Sequence, residues 1–422
     1  MSPSEQTRSA TIATRRGRLV AAGLVLALAG CVLPSSNSRV PTPNAVAGDE
    51  PVAADIAFQI MAQGGNAVDA AVAAGLAMAV TLPTRVSPGA VGTCISIDAP
   101  ESISGVLGTE EPVDLTLGRF EGPALPGGQV AVPALVRGLY AFHADGGVLR
   151  WSQVVAPAEQ LARFGFPLSR TLAADLEAGA AAQLRDPALR AALLAPDGTP
   201  RPVGTTVTRT ELADTLSELR QAGVFGGALL DTLAAELAPA NPAGAAAAIR
   251  AYIPSLGEPS EVLEAGDDLL VVGSARVAGM LNGGPPGIGG VPGATVAALS
   301  VNNVAAACSF SLGGWFGTGT AGATTGVIPA RATAAPDQVA VLYNPYTLNV
   351  LTAVAGTGGD DAFAATIRGV TEDELDAPGA VAQAAGAAGR VSAVVCPTEL
   401  GAVTGCLAAA GPGDGGLARF GF

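Results

Sequence analysis

One threonine has the sequence context to act as a nucleophile. Thr295 opens a short apolar run, 295–301, soon after a glycine-rich loop, Gly283-Gly284-Pro285-Pro286-Gly287-Ile288-Gly289-Gly290. A second apolar run spans 304–311, and Asn302-Asn303 separates the two. Asn tolerates a left-handed backbone, so the pattern predicts strand, turn, strand. A side-chain hydroxyl is a weak nucleophile and needs a base beside it. A threonine that becomes the first residue of a chain carries one, its own α-amine, which titrates near neutrality. Cleavage before Thr295 would create that arrangement, and the glycines between 283 and 293 leave the preceding segment free to bend back. Thr295 is also readable as an ordinary β-branched strand starter. Residue chemistry alone leaves both readings open.

Other catalytic classes are narrowed by what the chain lacks. It contains no lysine, which removes Schiff-base and lysine–phosphate chemistry. His143 is its single histidine, which excludes a zinc site built on two or three imidazoles. It lies in 135–144, a segment that reads as a helix started by Pro133 and stopped by Gly146-Gly147, and there it is expected to be structural. If the protein is an enzyme, its base is therefore expected not to be histidine. The expected site needs no metal and no cofactor. The net charge of −14 argues against nucleic acid and anionic membrane surfaces as partners.

The N-terminus reads as an address. Arg15-Arg16-Gly17-Arg18 is a basic region, 19–29 is an apolar stretch too short to span a bilayer, and Leu28-Ala29-Gly30-Cys31 follows. This order resembles the bacterial lipobox. The resemblance implies a signal peptide over 1–30, lipidation of Cys31, and anchoring on the periplasmic face of the outer membrane of a Gram-negative bacterium. Residues 31–50, polar and punctuated by Pro34, Pro41 and Pro43, read as a tether. An exported chain can form disulfides. Cys396 and Cys406 close a short loop and are the expected pair. Cys94 and Cys308 sit in apolar, strand-like contexts and read as buried thiols, with a bridge between them left open.

Several elements are expected to position Thr295. Ile56, Ile60 and Met61 fall at helical spacing before a break at Gly64-Gly65. Asn66 can cap the next helix, 67–80, with Asp69 in its first turn. That helix is apolar nearly all round and should be buried. Residues 91–97 and 269–272 read as strands, and Ser152, Thr210 and Asn241-Pro242 mark helix starts. Helices, a glycine loop and then strand pairs suit a layered α/β domain.

Gly64-Gly65-Asn66-Ala67-Val68-Asp69-Ala70-Ala71-Val72-Ala73-Ala74 closely resembles the early signature of the gamma-glutamyltransferase family. Further matches follow in the family's order: Arg137-Gly138-Leu139-Tyr140, Val155-Ala156-Pro157-Ala158, Gly165-Phe166-Pro167-Leu168-Ser169, and the segments 210–216 and 248–252. The resemblance is good from about residue 51 to 255 and patchy beyond. It implies an N-terminal-nucleophile hydrolase, with an α/β fold in a four-layer αββα sandwich. It also implies division of one composite domain into a large-subunit-like region, 51–294, and a small-subunit-like region, 295–422. Thr295 is then the nucleophile. Trp315-Phe316-Gly317-Thr318-Gly319 resembles a family motif, and counting back from it puts Ser309 and Ser311 at polar positions, one of which hydrogen-bonds the nucleophile. Gly356-Thr357-Gly358-Gly359 resembles the family's Gly-Ser-x-Gly-Gly, which implies an oxyanion hole from the backbone N–H groups of Gly358 and Gly359. The implied substrate is a gamma-glutamyl compound or another small amide, glutathione-like in form.

This sequence also departs from that pattern. The second threonine at the cut is replaced by Val296. The family's substrate-carboxylate arginine falls at Gly108, and its amino-group-reading segment is unmatched around 328–336. Arg331 and Asp337 are the nearby charges that could substitute. The C-terminal region is short, so an incomplete sheet is expected there. Two functions follow: an autoprocessed amidohydrolase or acyltransferase, or a catalytically inactive relative serving as a periplasmic binding or structural lipoprotein.

Overall fold

A computed structural model describes residues 43–99, 113–284, 290–396, 405–411 and 416–421. Cys31, the tether up to residue 42 and Gly108 lie outside the described residues.

Fifteen strands are described, and their order explains how Thr295 is held. They are β1 (Asn44–Gly48), β2 (Val91–Asp98), β3 (Asp114–Phe120), β4 (Phe166–Pro167), β5 (Thr206–Val207), β6 (Ser255–Gly257), β7 (Glu261–Ala265), β8 (Asp268–Val272), β9 (Gly293–Leu299), β10 (Val304–Ser311), β11 (Val339–Tyr343), β12 (Val350–Thr357), β13 (Arg390–Val395), β14 (Leu407–Gly411) and β15 (Leu417–Gly421). One sheet runs β15-β1-β9-β10-β2-β3-β6 and a second runs β14-β13-β12-β11-β8-β7. β4 and β5 form a small separate ribbon.

Side-chain alternation sorts the residues into layers. A strand turns successive residues to opposite faces. From β9, Ala297 and Leu299 join Ala45, Ile95 and Ala305 in a core shared with Val339, Ala353 and Val394 of the second sheet. Ala294, Val296 and Ala298 join the core on the other face, with helices Pro51–Ala62, Ala67–Thr81 and Leu135–Gly146. The outer face of the second sheet is covered by Ala275–Leu281, Asp360–Thr371 and Ala377–Gln383. Helix, sheet, sheet, helix is the four-layer αββα sandwich.

Ala67–Thr81 is buried along its whole length, which suits a sequence with no polar face. Asn66 caps it: Oδ1 accepts from the N–H groups of Val68 and Asp69, while Asp69 Oδ2 accepts from Asn66 N–H at 3.0 Å. The Asn66 amide also donates to Gly146 O, tying this helix start to the end of the helix bearing His143. The helix Trp151–Phe164 starts two residues earlier than a cap at Ser152 would place it, and Thr210–Ala222 one residue earlier than a cap at Thr210 would, with Arg150 and Arg209 at the cap positions.

Three expectations change. Residues 44–48, read from sequence as the end of the tether, form β1, a buried strand between β15 and β9, because their apolar side chains alternate into the cores on both faces of the sheet. The sheets are well populated at the C-terminal end: β13 and β14 extend the second sheet, and β15 pairs with β1 at the edge of the first. Cys94 and Cys308 are bridged, their Cα atoms 4.1 Å apart. They stand directly opposite in the β2–β10 register, a proximity that strand pairing creates and that their separation of 214 residues conceals. Cys396 and Cys406 are also joined by a disulfide.

Candidate active site

Thr295 lies near the start of β9, paired with Ser309 across the β9–β10 ladder and fully buried. Asn303 closes the β9–β10 turn with a φ of 64°, the left-handed conformation expected of an asparagine there. The strand begins at Gly293, two residues before Thr295, so the chain is extended through the expected cut. Only a glycine fits at 293: a Cβ there would stand 2.3 Å from Thr357 Oγ1 and 2.4 Å from Phe310 O.

Thr295 is held by polar partners in a core otherwise built from apolar side chains. Its Oγ1 is 2.9 Å from Asp49 Oδ2 and 2.8 Å from Ser392 Oγ. Its backbone N–H donates to the same Asp49 Oδ2 at 2.9 Å. Asp49 follows β1, the neighbour of β9, and its own N–H donates to Thr295 O. Ser392 reaches across from β13 of the facing sheet.

Two arginines flank Asp49. Arg390 Nε donates to Asp49 Oδ1 at 3.0 Å, and the Asp49 charge is the main cause that pushes the Arg390 guanidinium above its ordinary value. Arg85 NH1 lies 3.9 Å from Asp49 Oδ2 and donates to Gly293 O at 3.1 Å, touching the segment that precedes the nucleophile. The same guanidinium makes a two-point pair with Asp175 and packs 5.6 Å from the Trp315 ring centroid. Asp175 also accepts from Thr84 Oγ1.

The expected companions of Thr295 are near it but arranged differently. Ser309 Oγ donates to Gly356 O at 2.7 Å, and Ser311 Oγ donates to Pro292 O at 2.8 Å. Neither hydroxyl is the bonding partner of Thr295; Ser392 takes that role. The reason is directional: Ser309 sits beside Thr295 in one sheet, whereas Ser392 faces it from the other. Gly358 and Gly359 form the corner between β12 and the helix Asp360–Thr371, with Gly358 at φ 80°. This corner lies against the segment leading to Thr295, since a Cβ on Gly290 would be 3.3 Å from both Gly358 C and Gly359 N. Arg331 and Asp337 are engaged elsewhere. Arg331 Nε donates to Gly317 O and the side chain lines a cavity of about 370 Å³ with Arg185 and Thr318. Asp337 is paired with Arg276 and accepts from Ser274.

His143 has the structural place expected of it. It is buried, with Nε2 3.0 Å from Asp69 Oδ1 and its ring edge-on to Trp151. Burial raises the Asp69 carboxyl, but the His143 contact and the N–H groups of Asn66 and Val148 outweigh it and hold the group below its usual range. Asp49, Ser392, Arg390 and Arg85 were not singled out from sequence. Their partnerships span separations such as 246 residues for Asp49–Thr295 and 341 for Asp49–Arg390, which no local pattern encodes. The one local signal is the acidic pair Asp49-Glu50 between an apolar run and a helix start.

Comparisons with known proteins bear on the family and the fold. Over 195 residues the chain is 33% identical to glutathione hydrolase 2 of Arabidopsis thaliana, covering 44% of this chain and 33% of that protein. It is 30% identical over 193 residues to the glutathione hydrolase proenzyme of Bacillus subtilis, covering 42% and 32%. The chain thus spans about a third of the length of these relatives. The crystal structure of cephalosporin acylase from Bacillus halodurans superposes with a TM-score of 0.68 at 16% identity, covering 92% of this chain and 98% of that one, which shows a shared fold. The family model described as gamma-glutamyltranspeptidase matches residues 53–274, just over half of the chain, and the protein belongs to that family.

Proposed function

We propose that the protein is an amidohydrolase or acyltransferase that cuts itself before Thr295 and then uses that residue as its nucleophile. Its substrates are small amides, gamma-glutamyl compounds among them. The relatives named glutathione hydrolase make a glutathione-like substrate the first to test. The observation that carries this reading is the setting of Thr295: its hydroxyl and N–H are both held by buried polar partners. A strand-starting threonine with no further role needs no such network, since burying it costs free energy that a valine there would avoid.

In the mature protein the freed amine of Thr295 takes the proton from Oγ1 as Oγ1 attacks the amide carbonyl. The backbone N–H groups of Gly358 and Gly359 receive the developing oxyanion, each such donor contributing about 3–4 kcal/mol to the transition state. The departing amine collects the proton. Water or an acceptor amine then releases the acyl group. The two pieces, Cys31–Ala294 and Thr295–Phe422, remain associated because β9 lies between β1 and β10 within one sheet. Export, lipidation at Cys31 and a place on the periplasmic face of the outer membrane belong to the same proposal.

Denaturing electrophoresis of the purified mature protein tests it. Two pieces are expected, the smaller beginning at Thr295, together with release of the anilide from a gamma-glutamyl anilide. Thr295→Ala should leave one intact chain. A single intact band from the wild-type protein, unchanged by Thr295→Ala, would overturn the proposal.

A further inference from the structure

The free amine that serves the mature enzyme is absent before cleavage. In the intact chain the Thr295 nitrogen belongs to the Ala294–Thr295 amide and has no basic lone pair, so the first cut requires another proton acceptor. We propose that Asp49 is that acceptor and the catalytic acid–base of self-cleavage. The inference rests on the reading of Thr295 as a self-exposed nucleophile.

The geometry is specific. A single oxygen, Asp49 Oδ2, is 2.9 Å from Thr295 Oγ1 and 2.9 Å from Thr295 N. The first atom must lose a proton and the second must gain one; in the intact chain the nitrogen donates its N–H to Oδ2, and it takes up the proton from the same oxygen after it turns pyramidal in the tetrahedral intermediate. Arg390 occupies the other oxygen, Oδ1, and so fixes the carboxylate with Oδ2 turned to the threonine. The backbone bond from Asp49 N to Thr295 O fixes the main chain from which the carboxylate projects. Ser392, the other partner of Oγ1, is a hydroxyl and a poor proton acceptor.

The steps balance. Asp49 takes the Oγ1 proton as Oγ1 bonds to the carbonyl carbon of Ala294. The tetrahedral centre collapses, the carbon–nitrogen bond breaks, and Asp49 returns the proton to the Thr295 nitrogen. The product is an ester between Ala294 and Oγ1 with a free amine on Thr295. Water then attacks the ester, Oγ1 leaves and regains a proton, and Ala294 ends as a carboxylate whose proton passes to the amine or to solvent.

The test follows splitting of freshly purified precursor over time by electrophoresis. General acid–base catalysis contributes about 10²–10⁴-fold, so Asp49→Asn should split slower than wild type by that factor. Circular dichroism and the melting temperature, compared with the uncleavable Thr295→Ala chain, establish that the variant is folded. Asp49→Glu keeps the charge that Arg85 and Arg390 face but displaces the oxygen, and it decides the matter if Asp49→Asn does not fold. It should fold and split more slowly than wild type. Splitting at the wild-type rate by either folded variant would overturn the role of Asp49 while leaving the proposed function standing. A wild-type chain that never splits would overturn the proposed function itself.

Discussion

The buried pair between Arg85 and Asp175 permits a quantitative test of what holds the site together. Both side chains are 4% exposed, and the guanidinium meets the carboxylate at two points, through Nε and NH2. Replacing Arg85 with Met keeps much of the volume and removes the charge. Asp175 then keeps the hydroxyl of Thr84 as its side-chain hydrogen-bond partner and Arg390 as a more distant charge. Asp49 loses less, since Arg85 stands 3.9 Å from it whereas Arg390 remains at 3.0 Å. Removing one partner of a buried ion pair typically costs about 3–5 kcal/mol, because the other charge is left uncompensated. Arg85→Met should therefore lose that amount, measured by urea titration in the Thr295→Ala background so that one uncut chain unfolds. Arg85→Met with Asp175→Leu removes both charges, and the double variant should recover to within about 1–2 kcal/mol of the reference. A single variant within about 1 kcal/mol of the reference, or a double variant no better than the single, would refute the reasoning.

Two other substitutions test neighbouring parts of the fold in the same background. Glu50 is buried beside Asp49, and burial raises its carboxyl above the ordinary 4.5 despite bonds from the Ala53 N–H and from Thr81 and Ser169. The folded state therefore holds the proton more tightly than the unfolded chain. The contribution of Glu50 to stability is full below pH 4.5 and falls as pH rises from there through the folded value. Glu50→Gln cannot ionise, so its melting temperature should match the reference near pH 4.5 and rise above it toward neutral pH; a gap that stays flat or reverses would contradict this. Asn66→Ala removes the acceptor for two helix N–H groups and the bond to Gly146 O, and should cost about 2 kcal/mol by urea titration, with a loss under about 0.5 kcal/mol counting against the capping role.

Local chemistry made some of this legible in the sequence. Asn66 with Asp69 announces a capped helix because both halves of the box lie within three residues. Asn302-Asn303 announces a turn because the required backbone angle is a property of asparagine. Thr295 and the Gly358-Gly359 corner were singled out through family resemblance, and the structure brings the segment before Thr295 against that corner. What was hidden depends on strand pairing and layer facing. Cys94 meets Cys308, and Asp49 meets Thr295, because non-consecutive strands lie side by side. Ser392 was hidden for a further reason: it belongs to the facing sheet, and nothing in a strand's own sequence says which residues of another sheet it will face. The partner of Ser309 was hidden by the same limit: its hydroxyl donates to Gly356 O.

The burial of Thr295 separates cutting from catalysis. Thr295 is 0% exposed, and neither the cavity of about 610 Å³ beside Asp114 nor the one of about 370 Å³ beside Arg331 is lined by it. The proposed cut alone would therefore not admit a substrate. The residues just before it would also have to leave, and they are held by the pairing of Gly293 and Ala294 with Ser311 and Phe310, by Arg85 on Gly293 O, and by Ser311 on Pro292 O. Their side chains add little to that hold, because glycine has none and alanine buries a single methyl, worth about 1 kcal/mol or less. A larger apolar residue at 294 would add about 1.5–3 kcal/mol of burial to the attachment. The small residues before Thr295 let the strand pass Thr357 and Phe310 in the intact chain, and after the proposed cut they would leave the severed end held mainly by a few hydrogen bonds that water can replace.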